Sequence, residues 1–117
     1  MKTVLIVDDS AYMRRVIHNI VTRNGYDVVG EADNGRAGVE KFKELQPDVV
    51  TMDLVMDEMD GLEALSTIIK EFPNANIIMV SSMGQDVIVR DAIVLGAKNF
   101  LHKPFDEQQV IEAFKKL

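Results

Sequence analysis

Several polar side chains that can handle a charged group stand directly after short apolar runs: Asp8, Asp9, Asp53, Ser81 and Lys103. Three carboxylates that meet in a partly desolvated cleft repel one another, so we expect a compensating positive charge. Oxygen-only ligation is typical of Mg²⁺, and the ammonium of Lys103 adds a second positive charge. A phosphoryl group on Asp53 would then contact the cation, Lys103 and the Ser81 hydroxyl. The set suits phosphoryl transfer to a carboxylate nucleophile.

Each of these residues also has an ordinary alternative role. A single Asp or Ser after a strand is most often a helix cap or a turn residue, and this reading is favoured for Asp8, Asp53 or Ser81 taken one at a time. The combination with Asp9 and with Lys103, each at the end of an apolar run, favours a shared site instead.

The elements that must position these side chains are short apolar runs alternating with longer amphipathic segments. This alternation predicts repeated βα units on a parallel sheet that is covered on both faces. In such an open sheet, ligands bind beyond the carboxyl ends of the strands, where the polar residues stand. The five predicted strands are Thr3 to Val7, Asp27 to Glu31, Val49 to Met52, Asn76 to Val80 and Asn99 to Leu101.

Five helices are predicted from apolar residues at helical spacing and from caps and stops. The boundary signals are a stop at Asn24-Gly25, an N-cap at Asn34 with an end at Gln46-Pro47-Asp48, a third helix from about Leu62 to Phe72, a fourth from about Gln85 to Gly96, and a fifth after Asp106.

The composition limits the class of protein. A chain of 117 residues with 47% hydrophobic residues fits one domain, which we place at residues 1–117. The apolar runs are far shorter than the about twenty residues that span a membrane, so we expect a soluble, cytoplasmic protein without a membrane partner. The absence of cysteine excludes thiolate metal sites, and a net charge of -6 without a basic cluster disfavours nucleic acid as a partner.

Taken together, these segments give a chain that resembles the receiver domains of two-component response regulators across essentially its whole length. The matching segments are Val-Leu-Ile-Val-Asp8-Asp9, Pro47-Asp48-Val-Val-Thr-Met-Asp53, Met59-Asp60-Gly61, the strand ending in Ser81, Gly96-Ala97 and Phe100-Leu-His-Lys103-Pro104-Phe105. The resemblance implies an α/β fold of the flavodoxin-like type, a doubly wound sheet of five parallel strands in the order 2-1-3-4-5 with five helices.

The resemblance also implies a role for each residue of the site. Asp53 would accept phosphate from a histidine kinase, and Ser81 and Lys103 would bind the phosphoryl group. The protein would catalyse only its own phosphorylation and dephosphorylation, so it would not be an enzyme in the usual sense. The implied Mg²⁺ ligands are Asp8, Asp9, Asp53 and the backbone carbonyl of Val55.

Within the family, the wording Thr-Met-Asp53 and the lack of a segment after helix five look most like a stand-alone chemotaxis regulator. Such a regulator implies a histidine kinase as donor, the flagellar motor switch as downstream partner and a phosphatase as a further partner, with the protein itself a monomer. Phe100 matches the family's switch aromatic, which turns inward when the Ser81 hydroxyl moves toward phosphate.

Helix four has an apolar side that needs an explanation. At 100° per residue, Ile88, Ala92 and Leu95 share one face, while Val87 and Val94 fall on nearly the opposite side. Scattered surface apolarity is the ordinary explanation. Receivers dock their partners on the face formed by helix four, strand five and helix five, so the resemblance favours a docking surface that includes Val87, Val94 and Phe100.

Three residues beside the site depart from the family pattern. Asp57 stands where the family usually has proline, so we expect weaker order in that loop. Val55 and Met83 occupy places that tune loss of phosphate in the family, and neither side chain can position a water by hydrogen bonding. We therefore expect a comparatively long-lived phosphoryl group.

Three other functions were weighed against this one. A nucleotide or flavin enzyme of doubly wound fold is disfavoured because the first strand–helix turn lacks a glycine-rich phosphate cradle. An aspartate-nucleophile phosphatase would normally place an acid/base Asp two residues after the nucleophile, where Val55 stands. A receiver of another two-component or phosphorelay pathway, or the receiver part of a larger regulator, stays open at this point.

Overall fold

Strands and helices alternate strictly along the chain. The computed structural model describes residues 2–83 and 86–117. The strands are β1 (Thr3–Val7), β2 (Asp27–Ala32), β3 (Val49–Asp53), β4 (Ile77–Ser81) and β5 (Asn99–His102). The helices are α1 (Ala11–Arg23), α2 (Gly35–Leu45), α3 (Gly61–Glu71), α4 (Asp86–Val94) and α5 (Glu107–Lys115).

The five strands form one parallel sheet in the order β2-β1-β3-β4-β5. This confirms the predicted doubly wound, flavodoxin-like order. The chain first moves outward from β1 to β2 and then crosses back to add β3 on the other side of β1. The winding direction therefore reverses between β1 and β3, and the crevice that such a reversal leaves at the carboxyl ends of these two strands is the usual ligand position in open α/β sheets.

Two apolar layers cover the two faces of the sheet. Helices α1 and α5 pack on one face, and α2, α3 and α4 pack on the other. The largest fully buried side chains come from both the strands and the helices: Leu5, Ile6, Ile17, Met52, Leu65, Ile68, Ile77, Ile78 and Met79. Burial on both faces explains why these strands read as nearly continuous apolar runs.

Four strands end one residue later than predicted, and β4 also begins one residue later, at Ile77 instead of Asn76. β3 and β4 extend to Asp53 and Ser81, and β2 and β5 extend to Ala32 and His102. The extensions are stabilised by the neighbouring strands: Asp53 pairs with Val80, and Ser81 pairs with His102. Asp53 and Ser81 are therefore the last paired residues of their strands, and the pleat of the sheet limits the directions in which their side chains can point.

The caps confirm most of the predicted helix boundaries. Asn34 and Asp106 cap α2 and α5, each side chain accepting a backbone N–H from the first turn. Gly25 follows α1 with φ of 90°, the left-handed conformation expected of a glycine stop. Helix α3 begins one residue earlier than predicted, at Gly61, because Asp60 accepts the backbone N–H of Glu63 and so caps it.

Helix α4 agrees with the prediction in part. Gln85, its predicted start, lies outside the described residues, and Gly96 follows the helix with φ of 120°. Ala92 is fully buried and Ile88 packs against the core, as expected. Leu95 does not share their burial, because the helix ends at Val94 and Leu95 is 37% exposed in the turn that follows.

None of the helices within the described ranges is long and apolar enough to cross a lipid bilayer.

Candidate functional site

The predicted site residues lie together at the carboxyl edge of the sheet. Asp8 directly follows β1, Asp53 ends β3, Ser81 ends β4 and Lys103 directly follows β5. Parallel strands all present the same ends at one edge, so residues far apart in sequence come together there without any long loop. Asp8 and Ser81 are buried, at 1% and 2% exposure, so these polar groups are held inside the crevice.

Three carboxylates form an acidic cluster, which we define as Asp8, Asp9 and Asp53. One oxygen of each lies within 4.8 Å of the others, with Asp8 and Asp53 buried and Asp9 exposed. Such a donor set, made of carboxylate oxygens alone and open to solvent on one side, fits Mg²⁺, which keeps several waters when it binds proteins. The cluster therefore fits a divalent cation by both chemistry and spacing.

Lys103 is the cation that contacts this cluster. Its Nζ lies 3.2 Å from Asp8 Oδ2 and 3.4 Å from Asp53 Oδ1. Lys103 directly follows β5 and reaches the residue after β1, and its side chain is 20% exposed, so it can also meet a group that enters from solvent. A single ammonium shared between two buried carboxylates leaves the crevice with excess negative charge.

The excess negative charge shows in the pKa of Asp53. Burial and the neighbouring Asp8 carboxylate raise this pKa from 3.8 to about 6, and Lys103 opposes the rise without cancelling it. A second cation beside Asp53 would favour its ionised form. The electrostatics of the crevice thus favour a divalent cation, as the set of carboxylate donors does.

Backbone contacts fix the local position of the acceptor carboxylate and of the serine. Asp53 Oδ1 accepts the backbone N–H of Leu54 at 2.9 Å, which orients the carboxylate at the end of β3. Ser81 Oγ accepts the backbone N–H of Met83 at 3.0 Å and so caps the turn after β4. Val55, proposed as a backbone ligand, lies in the loop after Asp53 with its side chain 56% exposed.

Two glycines allow the loop after Asp53 to fold back on the site. A Cβ at Gly61 would collide with the carbonyl oxygen of Asp53, and a Cβ at Gly35 would collide with the carbonyl oxygen of Met59. The N–H of Gly61 donates to the Leu54 carbonyl at 2.7 Å and closes the loop. The first residue of α2 and the first residue of α3 therefore both depend on a missing side chain to pack against this loop.

The chain also matches known proteins across nearly its whole length. The family described as the response regulator receiver domain matches residues 4–115. The chain belongs to this family. The receiver domain is 54% identical over 116 residues to chemotaxis protein CheY of Thermotoga maritima, covering 99% of this chain and 97% of the relative. It is 53% identical over 113 residues to chemotaxis protein CheY of Bacillus subtilis, covering 97% and 94%.

A solved structure gives the same result for the fold. The CheX–CheY–BeF₃–Mg²⁺ complex from Borrelia burgdorferi contains a chain similar to this receiver domain, with a TM-score of 0.95 and 36% identity over 97% of this chain and 86% of that chain. These similarities confirm the family and the CheY-type, two-component interpretation of the sequence. Receivers of this type are signalling switches, which agrees with the prediction that the protein is not an enzyme in the usual sense.

The predicted switch and docking residues of the receiver domain fall into two groups. Val87 and Val94 are 62% and 78% exposed on α4, as predicted. Phe100 is 9% exposed and packs in the core layer of α2, α3 and α4, so it adds no exposed area to a docking surface in this conformation. The ring of Phe100 therefore takes the inward position in this structure.

The sequence alone did not identify Arg14 and Glu31 as parts of the site. Arg14 Nη1 donates to the carbonyl oxygen of Asp8 at 2.7 Å, and Arg14 Nε lies 3.1 Å from Glu31 Oε1. The signal that was available is the position of Arg14 in the second turn of the helix that begins after Asp8-Asp9. Its pairing with Glu31 depends on β2 lying beside β1. The spacing of apolar residues along a helix gives no information about which strands are neighbours.

Proposed function

We propose that this receiver domain is a phosphorylation-activated switch in which Asp53 accepts a phosphoryl group from a histidine kinase. The observation that carries the proposal is the meeting of Asp53 with Asp8, Asp9 and Lys103 in one crevice at the carboxyl edge of the sheet. An isolated carboxylate is a poor nucleophile toward a phosphoryl donor, which is itself negatively charged, so the surrounding positive charge is what makes the transfer feasible.

The residues of the site divide the work of the transfer. An oxygen of the ionised Asp53 carboxylate forms a bond to phosphorus, and the bond from phosphorus to the donor nitrogen of a phosphohistidine breaks, returning the electron pair to that imidazole. Lys103, already 3.4 Å from Asp53, donates to a phosphoryl oxygen. Ser81, at the end of β4, supplies a hydroxyl to another phosphoryl oxygen.

The acidic cluster, with the backbone carbonyl of Val55, would hold Mg²⁺. When bound, this ion supplies positive charge for the phosphoryl oxygens and for the crowded carboxylates. Asp8 and Asp53 are buried and Asp9 is exposed, so a cation held by these three carboxylates would keep a side open to waters and to the incoming phosphoryl group. The ion would also favour the ionised, nucleophilic form of Asp53, whose pKa is otherwise raised.

The downstream step would use the face that bears Val87 and Val94. The buried position of Phe100 beside β4 allows Ser81 and Phe100 to act as a pair, in which movement of the Ser81 hydroxyl toward phosphate is accompanied by repacking of the aromatic ring. The relatives at 54% and 53% identity carry the name of a chemotaxis protein, which supports a CheA-like kinase as donor and the flagellar motor switch as the downstream partner. The solved complex of a similar CheY chain with CheX supports a further protein partner besides the kinase and the motor switch.

The direct test is phosphorylation of the isolated protein. Incubation with Mg²⁺ and acetyl phosphate, followed by intact-mass measurement, should show one added phosphoryl group that is absent from Asp53→Asn and absent when EDTA replaces Mg²⁺. Asp60→Asn is the matched control, because it makes the same change at an exposed carboxylate in the same loop and asparagine still caps α3. Wild-type protein that acquires no phosphoryl group, or Asp53→Asn that acquires one, would overturn the proposal.

The partner assignment needs a separate experiment. Phosphorylated wild-type protein should bind a flagellar motor switch protein more tightly than unphosphorylated protein does, and a CheA-like kinase carrying phosphohistidine should transfer its label to Asp53. A protein that is phosphorylated normally but binds no motor switch protein in either state would instead indicate a receiver of another two-component pathway.

A further inference from the structure

The main chain of Asp8 is held from two sides and its carboxylate from a third. Its N–H donates to the carbonyl of Ala32 at 3.0 Å, and its carbonyl accepts Arg14 Nη1 at 2.7 Å. Its Oδ1 accepts the N–H of Ser10 at 2.9 Å. Asp9, in contrast, is exposed and makes no side-chain hydrogen bond within residues 2–83 and 86–117. The position of the Asp9 carboxylate therefore depends on how the backbone of Asp8 is held.

Arg14 reaches the Asp8 carbonyl because a second residue anchors it. Its Nε lies 3.1 Å from Glu31 Oε1, and its side chain is only 21% exposed. The other oxygen of Glu31 lies 3.6 Å from His18 Nδ1, so the carboxylate is bracketed by two residues of α1. Glu31 is also the neighbour of Ala32 on β2, and the end of this strand therefore controls both the N–H and the carbonyl of Asp8.

The hydrogen bond from Arg14 acts on the peptide unit that joins Asp8 to Asp9. A peptide unit is planar, so fixing its carbonyl also fixes the N–H and Cα of the next residue. The forked guanidinium group of Arg14 can donate to the Asp8 carbonyl and to the Glu31 carboxylate at the same time. A side chain at this position that made only one of these contacts would constrain the Asp8–Asp9 peptide less. The direction in which Asp9 presents its carboxylate thus depends on Arg14.

A purely electrostatic role for Arg14 would have the opposite consequence. A positive charge close to a cation site weakens cation binding, although here the ion pair with Glu31 offsets most of that charge. Removing Arg14 should strengthen Mg²⁺ binding if only its charge matters, and should weaken Mg²⁺ binding if its hydrogen bond orients the carboxylates. The two roles are therefore separated by the sign of the effect.

We propose that Arg14, anchored by Glu31, is a positioning residue that presents Asp8 and Asp9 to a divalent cation and so sets the affinity of the acidic cluster for Mg²⁺. The proposal rests on the Mg²⁺ site put forward under the proposed function. Arg14 is placed to act through the Asp8–Asp9 peptide, because its guanidinium contacts the Asp8 carbonyl and the Glu31 carboxylate.

The test is a calorimetric Mg²⁺ titration of Arg14→Ala beside Arg15→Ala. The next residue on α1 offers a matched control, because Arg15 is exposed, makes no ion pair among the described residues and loses the same charge on substitution. Arg14→Ala should weaken Mg²⁺ binding about ten-fold, as loss of an outer hydrogen bond typically does at metal sites. Arg15→Ala should stay within about two-fold of the wild type, on the side of tighter binding.

Two further variants keep the test decisive if Arg14→Ala unfolds. Glu31→Gln removes the anchor charge from a side chain that is 39% exposed, and it should weaken Mg²⁺ binding in the same direction as Arg14→Ala even in high salt, which screens the effect of the lost charge on the ion. Arg14→Lys should recover part of the affinity, since an ammonium can donate to the Asp8 carbonyl without matching the fork. The free energy of unfolding in EDTA, measured for every variant, separates a loss of metal affinity from a loss of stability.

The outcomes distinguish this inference from the proposed function. Wild-type protein that binds Mg²⁺, together with Arg14→Ala and Glu31→Gln variants that bind it as tightly as Arg15→Ala does, would overturn the positioning role and leave the metal site intact. Wild-type protein that binds no Mg²⁺ would overturn the metal site itself, and this result would appear before any variant is compared.

Discussion

Lys103 Nζ lies 3.4 Å from Asp53 Oδ1, and Lys103 is the same residue that contacts the buried Asp8 carboxylate. One ammonium therefore serves two carboxylates, and the pKa of Asp53 is raised to about 6 because burial and Asp8 outweigh Lys103. The crevice is poised to accept a further positive charge, and this imbalance has measurable consequences for stability.

Without metal, ionisation of Asp53 should destabilise the fold. The unfolded chain releases this proton near pH 3.8, whereas the folded protein keeps it up to about pH 6. Between these values the folded state binds more protons, so the contribution of Asp53 to the free energy of unfolding is largest below pH 3.8 and is lost as pH rises through 6. The loss approaches about 3 kcal/mol at most.

The measurement is urea unfolding of wild type and Asp53→Asn in EDTA at pH 4.5 and pH 7.5. Asparagine cannot ionise, so the variant should gain stability relative to the wild type as pH rises. Other acidic groups, such as Asp48 with its lowered pKa, titrate equally in both proteins and cancel in the difference. Saturating Mg²⁺ should remove the advantage of the variant at pH 7.5. An equal difference at both pH values in EDTA would contradict the raised pKa.

Thr51→Val should stabilise the protein. Thr51 is 1% exposed in β3 between Ile6 and Ile78, and its Oγ1 has no hydrogen-bond partner among the described residues. Replacing a buried, unpaired hydroxyl with a methyl group of similar size should add about 1 kcal/mol to the free energy of unfolding. Denaturant unfolding of the variant measures this gain.

The control for this change is Thr67→Val on α3. The Thr67 hydroxyl is satisfied, donating to the carbonyl of Glu63 at 2.8 Å, so this variant should gain no stability. Equal effects of the two substitutions would show that the unpaired hydroxyl of Thr51 is not the cause.

Loss of phosphate should become faster when polar side chains replace Val55 and Met83. Both residues flank the crevice with exposed apolar side chains, at 56% and 41% exposure, and neither can hold an attacking water. The double change Val55→Asn and Met83→Glu should shorten the lifetime of the phosphorylated protein roughly ten-fold, since a positioned polar group assists attack by water.

The decay is followed by intact mass after the phosphoryl donor is removed. Val94→Asn makes the same chemical change at a valine that is 78% exposed at the last residue of α4, the end of this helix that is remote from the carboxyl edge of the sheet, and its decay should match that of the wild type. Unchanged decay in the double variant would refute the idea that these two positions set the lifetime.

Val87→Ser with Val94→Ser should weaken partner binding and leave phosphorylation unchanged. The two valines are 62% and 78% exposed, and they lie about 20° apart around α4, so they form one exposed apolar stripe. Loss of two apolar contacts should weaken binding to a flagellar motor switch protein by about ten-fold or more.

Binding is measured by calorimetry on the phosphorylated variant, and phosphorylation by intact mass. Tyr12→Ser removes a side chain that is 75% exposed on α1, in the opposite layer, and should leave partner binding unchanged. If the double serine variant loses phosphorylation as much as it loses binding, the docking surface is placed wrongly.

Local sequence signals determined the order of the elements and most of the helix ends. Apolar runs and helical spacing depend on neighbours a few residues away, and caps such as Asn34 and Asp106 act within one turn. The resemblance to receiver domains then ordered the strands. The site residues were also found from a local signal. Asp8, Asp53, Ser81 and Lys103 each stand directly after an apolar run, and this position can be seen in the sequence alone.

The last residues of β2, β3, β4 and β5 were not visible in the sequence, whereas the end of β1 at Val7 was predicted correctly. Asp53 and Ser81 were expected to follow β3 and β4, yet they belong to these strands, because the neighbouring strand continues far enough to pair with them. Whether a strand ends at one residue or the next depends on a partner many residues away, and period-two patterns do not contain that partner.

The connection from Glu31 through Arg14 to Asp8 was decided only by the tertiary structure. The sequence supplies an arginine on α1 and a glutamate on β2, each with an ordinary surface role by itself. Their meeting requires β2 to lie beside β1 and α1 to pack across both strands, which brings charges 17 residues apart to 3.1 Å. Sequence determined which groups the site contains, and packing determined which group orients which, because hydrogen-bond geometry follows from distances that no local pattern records.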